Sequence, residues 1–369
     1  MYYNWDQEDK VNKKNQETFK YLENFLNRDG ISGFEKDIAS TYIKYASAAG
    51  ATIKRDGFGS VSAKIGTDGP KIMFAAHMDE VGFVVQRIAK TGFLHISPVG
   101  GHWVHTILAM PIKVINRQGK EFPGVIGSTS VHVLQPEVRG KVMKMKDVYV
   151  DLGFSSKEEV IKAGIEVGDQ VVRMSKATLL ADGDKYMAKA IDNRISVAII
   201  AKVLEKLKGK KINNQLFAVA TAQEEVGLRG AKAATQMIQP EVAIAIDTTV
   251  SHDTPGIIPG DTKLGEGVAI TMKDNCAIAN PTLANMLFDL AQEKGIKAYK
   301  FVSQGGGNDS GMTQYSKCGI PVVTISIPTR YLHTPNEIGS IFDFNAVVEL
   351  LVEFVLMFDD HQYQKTLYK

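Results

Sequence analysis

From Ala181 onward the chain alternates between short apolar runs and helical segments, and this alternation constrains the fold more than any other feature. "ISVAIIAKVLEKLKG" has helical character, "QLFAVATA" reads as a strand, "RGAKAATQMI" as a helix and "EVAIAID" as a strand. "TLANMLFDLAQEKG" is again helical, "IKAYKFV" and "PVVTISIP" are strands, and "FNAVVELLVEFVLMF" closes as a helix. Strands that alternate with helices imply an α/β sheet with helices on both faces. The apolar strands fit burial on both sides of the sheet. "ATIKR", "VSAKI" and "KIMFAA", separated by "DGFG" and "GTDGP", add strands near the start.

Residues 83–178 have a different texture. Helical periodicity fades, except at "SSKEEVIKAG", and short strands with Gly or Pro turns dominate: "GFVVQRI", "FLHISPV", "PIKVINRQGKEFPGVIG", "DVYVDLG", "QVVRM". That pattern suggests a compact β domain, barrel or sandwich. The expected architecture is therefore α/β, a mixed sheet flanked by helices formed by 1–82 and 179–369. A small barrel-like β domain, 83–178, is inserted into it. A helix is expected from Ser32 to Ala49, with Ser32 and Glu35 at capping-box spacing and Gly50 as C-terminal cap. The polar N-terminus "MYYNWDQEDKVNKKNQ" reads as a loose tail.

Charge and cysteine usage exclude several classes. Lys plus Arg total 43 and Asp plus Glu 41, so no strong field points to nucleic acid or a membrane surface. No apolar run reaches transmembrane length and no signal-type segment opens the chain. Cys276 and Cys318 make no disulfide framework and read as core residues; a cytoplasmic location is the simplest expectation.

The chemistry-bearing residues gather at the ends of the apolar strands. "KIMFAA" runs into His77, Met78 and Asp79; "LFAVATA" runs into Gln223, Glu224 and Glu225; "EVAIAI" ends in Asp247. "PVVTISIP" precedes His333, and Asp192 stands just before a helix. Ligands of open α/β sheets bind at the carboxyl ends of the strands, so these residues can converge. Imidazole and carboxylate donors without Cys suit zinc or cobalt and admit manganese. The set is too large for one tetrahedral ion and matches two ions sharing a carboxylate. One of the tandem glutamates can then hold an ion while its neighbour serves as general base. Asp79 can accept the other imidazole N–H of His77. His95, His102, His105, His132, His252 and His361 are read as structural or surface residues.

In order along the chain, "AAHMDEVGF", "KAIDNR", "TAQEEVGLRGA", "AIAID", "GGGND" and "RYLHTPNE" resemble the motifs of the di-metal aminopeptidases that assemble into tetrahedral (TET) particles. That family includes glutamyl and deblocking aminopeptidases, and the resemblance runs from about Thr18 onward. It implies that His77 and Asp247 hold one divalent ion, most simply zinc, and that Glu225 and His333 hold the other. It further implies that Asp192 bridges the ions, Glu224 is the general base and Asp79 orients His77. Peptides with a free N-terminus are the implied substrates. A homo-oligomer, dimers assembling to a tetrahedral dodecamer, is the implied state, with the inserted domain providing dimer contacts and shaping access. Asn193, Ser196 and Asn308 depart from common family residues but are not among the implied ligands.

A glutamyl or aspartyl preference requires a cation in the pocket, and Arg229, Lys263 and Arg330 are candidates by closeness to the motifs. Gly306, in the Gly-rich stretch, is expected to line the substrate site. A broad or neutral preference is the alternative. A glycosidase would need two carboxylates and no histidine, and a non-catalytic particle-forming protein would not need the full set.

Overall fold

A computed structural model describes residues 5–141 and 143–368. Strands β1 (Thr52–Arg55), β2 (Val61–Ile65) and β3 (Lys71–His77) open the sheet. The insert contributes β4 (Gly82–Ile88), β5 (Leu94–Val99), β6 (Pro111–Ile115), β7 (Glu121–Ile126), β8 (Tyr149–Asp151) and β9 (Gln170–Arg173). Then follow β10 (Thr178–Leu179), β11 (Lys185–Ala188), β12 (Gln215–Thr221), β13 (Val242–Val250), β14 (Val268–Lys273), β15 (Ala298–Val302), β16 (Val322–Thr329) and β17 (Glu337–Ser340).

The main sheet has the order β1-β2-β12-β3-β13-β16-β14-β15. Its centre, β12, β3, β13 and β16, is parallel, while β2 and β14 join antiparallel, so the sheet is mixed as expected. Every residue of β16 is buried, as a strand covered on both faces requires. The thicker helical layer includes Ile191–Leu207 and Ile341–Met357, whose apolar residues join one large core with the sheet. On the opposite face, Arg229–Ile238 places Ala234 and Ile238 against Met73, Ala75, Val219 and Ala243. β10, β11 and β17 form a separate small sheet. The insert is a closed barrel, β4-β5-β8-β7-β6-β9, around its own apolar core, which resolves the barrel-or-sandwich choice. Closure removes the open strand edges of a small β unit.

Three expectations need correction. The N-terminal segment is not a loose tail over its described part: a helix spans Trp5–Leu26. Its C-terminal turns bury Phe19, Leu22, Phe25 and Leu26, and Tyr21 donates to the Ala198 carbonyl at 2.8 Å. Residues 1–4 lie outside the described residues. The helix expected at 32–49 begins only at Lys36, and Glu35 makes no side-chain cap. Gly50 does end it in the left-handed region, φ +87°. Cys276 and Cys318 are exposed rather than core, because both fall in turns flanking strands. No helix among the described residues is long and apolar enough to cross a membrane.

Gly230 shows why one glycine is required. A Cβ there would stand 2.4 Å from the Ala222 carbonyl oxygen and 2.6 Å from Ser60 Oγ. Gly230 N–H itself bonds that carbonyl at 2.8 Å, closing the turn after β12. Gly230→Ala is expected to lower the unfolding free energy by about 1–3 kcal/mol, the usual cost of overpacking. A urea titration checks this, and an unchanged midpoint would contradict the packing argument.

Candidate metal centre

Four parallel strands deliver their carboxyl ends to one crevice. His77 ends β3 and is paired in register with Thr221, the last residue of β12. After Thr221 the chain does not stay extended. Gln223 turns into the left-handed region at φ +57°, and Leu228 does the same at φ +55°. The tandem acids therefore sit on a tight turn and not on a strand. Asp247 lies in β13, and His333 follows β16 in a loop. Asp192 stands on a non-helical kink at the start of Ile191–Leu207, with φ −76° and ψ 106°.

The side chains meet closely. His77 Nε2 is 3.2 Å from Asp192 Oδ1, 3.7 Å from Asp247 Oδ1 and 3.8 Å from Glu224 Oε2. His333 Nε2 is 3.2 Å from Asp192 Oδ2 and 3.2 Å from Glu225 Oε1. The two oxygens of Asp192 thus face two different imidazoles. The donor atoms of His77, Asp192 and Glu225 lie within 4.8 Å of one another, as do those of His77, Glu224 and Asp247. Asp192 Oδ1 is buried with no hydrogen-bond partner among the described residues. An orphaned carboxylate oxygen facing imidazole nitrogens fits a divalent cation, and the mixed N and O donors suit zinc, cobalt or manganese.

The electrostatics follow from crowding in a buried site. Burial pushes the Glu224 carboxyl well above its usual range, with His77 opposing and Asp247, Glu225 and Asp309 adding to the rise. Burial likewise raises Asp247, to about 6, against the pull of His77. Burial works against the charge on Asp192, but His333 and His77 hold it below the carboxylate range. Burial would lower His333, yet Asp192 and Glu225 raise it to about 11. Burial also opposes a charge on His77, and Glu224, Asp247 and Asp192 overcome it.

Asp79 has a different role from the one expected of its side chain. His77 Nδ1 bonds the main-chain carbonyl of Asp79 at 3.0 Å, while the carboxylate lies at 3.6 Å. That carboxylate instead accepts from the N–H groups of Glu224 and Glu225, at 3.0 and 3.1 Å, and from Ser32 Oγ at 2.6 Å. Glu35 accepts from Gln223 N–H at 3.1 Å. Ser32 and Glu35 are therefore not a capping box; they brace the turn that carries the tandem acids. Asn193 donates to the Ile246 carbonyl at 2.8 Å, beside Asp247.

The expected pocket cations do not converge. Arg330 is held by both Asp253 oxygens, at 2.8 and 2.7 Å. Arg229 is engaged with Gln223 Oε1 at 3.2 Å, and Lys263 lines a separate cavity. The main cavity, about 760 Å³, contains the candidate ligands together with Gly306, His252, Asp261, Asp274 and Phe301. Neither Arg nor Lys lines it among the described residues.

Sequence reasoning missed Asp309 and Glu337. Asp309 is buried beside the cluster and accepts from Thr221 Oγ1. Burial raises its carboxyl to about 7, against Thr221 and His77. It lay within the quoted "GGGND" motif, so attention to acids there would have found it. Glu337 accepts from the backbone N–H groups of both Asp192 and His333, at 2.9 Å each. It closes the quoted "RYLHTPNE" motif, but nothing local marks its partners.

A family model described as M42 glutamyl aminopeptidase matches residues 59–350. A putative aminopeptidase of Acetivibrio thermocellus is 36% identical over 340 residues, covering 92% of this chain and 99% of the relative. The glutamyl aminopeptidase of Lactococcus lactis is 32% identical over 333 residues, covering 89% of this chain and 93% of the relative. Among solved structures, a TET aminopeptidase from a marine-sediment Thaumarchaeota archaeon matches with a TM-score of 0.92 at 31% identity, covering 95% of this chain and 99% of that one. The TET1 peptidase of Pyrococcus horikoshii, described as assembling into a tetrahedron or a large octahedral shell, matches with a TM-score of 0.85 at 29% identity, covering 92% and 100%. With the model matched over most of its length and the Acetivibrio relative covered almost end to end, this chain belongs to the M42 glutamyl aminopeptidase family of metal-dependent aminopeptidases.

Proposed function

We propose that the chain removes the N-terminal residue from short peptides at a two-ion centre, with residues 1–82 and 179–369 forming the catalytic part. The observation that carries this reading is Asp192, whose oxygens each stand 3.2 Å from a different imidazole. His77 and Asp247 would hold one ion and His333 and Glu225 the other, with Asp192 placed to serve both. When bound, such an ion pair supplies Lewis acidity toward a scissile carbonyl and toward water.

Glu224 takes the proton of the attacking water and passes it to the leaving amine. Asp79 holds the Glu224 and Glu225 backbone while its own carbonyl orients His77. A glycosidase would not need the paired histidines.

Glu224 also lies near enough to His77 to serve as a ligand, and one experiment separates the roles. Glu224→Gln is expected to retain ion content, measured by metal analysis, and to lower kcat by about 10²- to 10⁴-fold. A parallel loss of ions would make Glu224 a ligand, and near-normal turnover would remove it as base.

Ion binding should carry a proton signature. Without ions, the surrounding acids raise the imidazoles of His77 and His333 above their usual range, the latter to about 11, and so favour their protonated forms. Ligation needs neutral imidazole, so zinc binding releases protons and weakens as pH falls. Calorimetric heats should differ between buffers of unlike ionisation enthalpy; equal heats would contradict this.

The first-residue preference follows from the cavity charge. Arg330 is neutralised by Asp253, and the described lining carries Asp261 and Asp274 but no Arg or Lys. A glutamyl side chain would meet no cation there, so neutral or cationic first residues are favoured over acidic ones. Lysyl and leucyl amides are expected to exceed glutamyl amides in kcat/KM by at least about tenfold, roughly 1.4 kcal/mol. Faster glutamyl cleavage would contradict this reading. The tetrahedral assembly described for the Pyrococcus peptidase supports a homo-oligomer here, with the barrel supplying subunit contacts and shaping access.

A further inference from the structure

His333 occupies a strained loop. It has φ +61° and Tyr331 has φ +59°, both in the left-handed region that non-glycine residues seldom adopt. The loop is closed by paired backbone bonds between Arg330 and Ile338, at 3.0 and 3.1 Å. Such conformations persist only where the surroundings over-determine them. Here Glu337 Oε1 accepts from His333 N–H at 2.9 Å, and the same carboxylate's Oε2 accepts from Asp192 N–H at 2.9 Å. One buried acid thus ties the main chain of two candidate ligands that are more than a hundred positions apart in sequence.

Bonds of Thr334 to the Tyr331 carbonyl brace the loop internally, and further restraints come from the inserted barrel. Gly101, just after β5, offers its carbonyl to His333 Nδ1 at 3.0 Å. Arg173, the last residue of β9, donates from Nη1 to the Thr334 carbonyl at 2.8 Å. The same Nη1 lies 3.9 Å from Glu337, and Nη2 lies 3.5 Å from Glu80. Arg173 is 1% exposed, and both acids are fully buried. Glu80 also binds Lys189 at 2.7 Å and Arg194 at 3.2 Å. Arg194 in turn donates to the Met78 carbonyl, between His77 and Asp79. A buried ionic network therefore joins the last barrel strand to both sides of the metal centre.

We propose that Arg173 and Glu337 are positioning residues for the metal centre, and that through Arg173 and Gly101 the barrel fixes its His333 side. The inference rests on the reading of His333 and Asp192 as ion-holding residues. Groups that orient ligands from behind typically change metal affinity or activity by about 10- to 100-fold.

The test uses the full chain and two variants. In Glu337→Gln the shape is kept, but the amide nitrogen cannot accept, so one of the two N–H groups loses its partner. Arg173→Lys keeps the charge and loses the planar fork. Zinc affinity is measured by competition with a chelating dye, alongside the zinc dependence of peptide-amide hydrolysis and the melting temperature without ions. The expected result for Glu337→Gln is a loss of about 10- to 100-fold in affinity for at least one of two ions, with most turnover restored at saturating zinc. Arg173→Lys should show a smaller loss in the same direction. Wild-type affinity in a folded Glu337→Gln overturns the proposal, as does lost turnover that excess zinc does not restore. If the unmodified chain itself binds no zinc, the two-ion reading falls and takes this inference with it; if it binds two and the variants match it, only the inference falls.

Discussion

The organising constraint is a like-charge problem. Asp192, Glu224, Glu225 and Asp247 converge with two imidazoles at the carboxyl ends of the sheet's central parallel strands. In a low-dielectric site such acids raise one another's pKa or require cations. Burial, and after it the neighbouring acids, raise Glu224 and Asp247, while the same acids raise His77 and His333 against the effect of burial. Nothing in the packing of an α/β sheet demands this arrangement. The surrounding structure is built to hold it, and the mixed imidazole and carboxylate donors suit divalent cations, which would make the crowding favourable.

Two kinds of device do the holding. Left-handed turns at Gln223 and His333 aim side chains where regular backbone could not. Buried carboxylates then anchor those turns by their N–H groups: Asp79 takes Glu224 and Glu225, and Glu337 takes His333 and Asp192. Each anchor has its own support, Ser32 for Asp79 and Arg173 near Glu337. The second support comes from the inserted barrel, so the insert is joined to the chemistry as well as to the surface. Meanwhile the bidentate Asp253–Arg330 pair engages one of the three cations that sequence had offered for the pocket.

Much of this was legible in the residues. Unbroken apolar runs announced the central strands, and ionisable residues at their ends named His77, Glu224, Glu225 and Asp247. The loss of helical periodicity marked the insert, whose strands run from Gly82 to Arg173. What stayed hidden has one physical cause: local spacing cannot show a partner that lies far along the chain. Ser32 and Glu35 carry the spacing of a helix cap, yet their partners are Asp79 and Gln223. The N-terminal helix is held by Phe19, Leu22 and Phe25, which join a core shared with the distant Ile191–Leu207 helix. Arg330 looked free because Asp253, which holds it, stands 77 positions earlier.

In the proposed centre Asp192 would join two ions held by separate histidines. Anomalous diffraction at the zinc edge, on crystals of the zinc-loaded protein, tests it most directly. Two peaks per subunit, about 3.5–4 Å apart, are expected. One would be touched by His77 and Asp247, the other by His333 and Glu225, with an Asp192 oxygen on each and Glu224 on neither. A single peak, or two peaks not shared by Asp192, would contradict it.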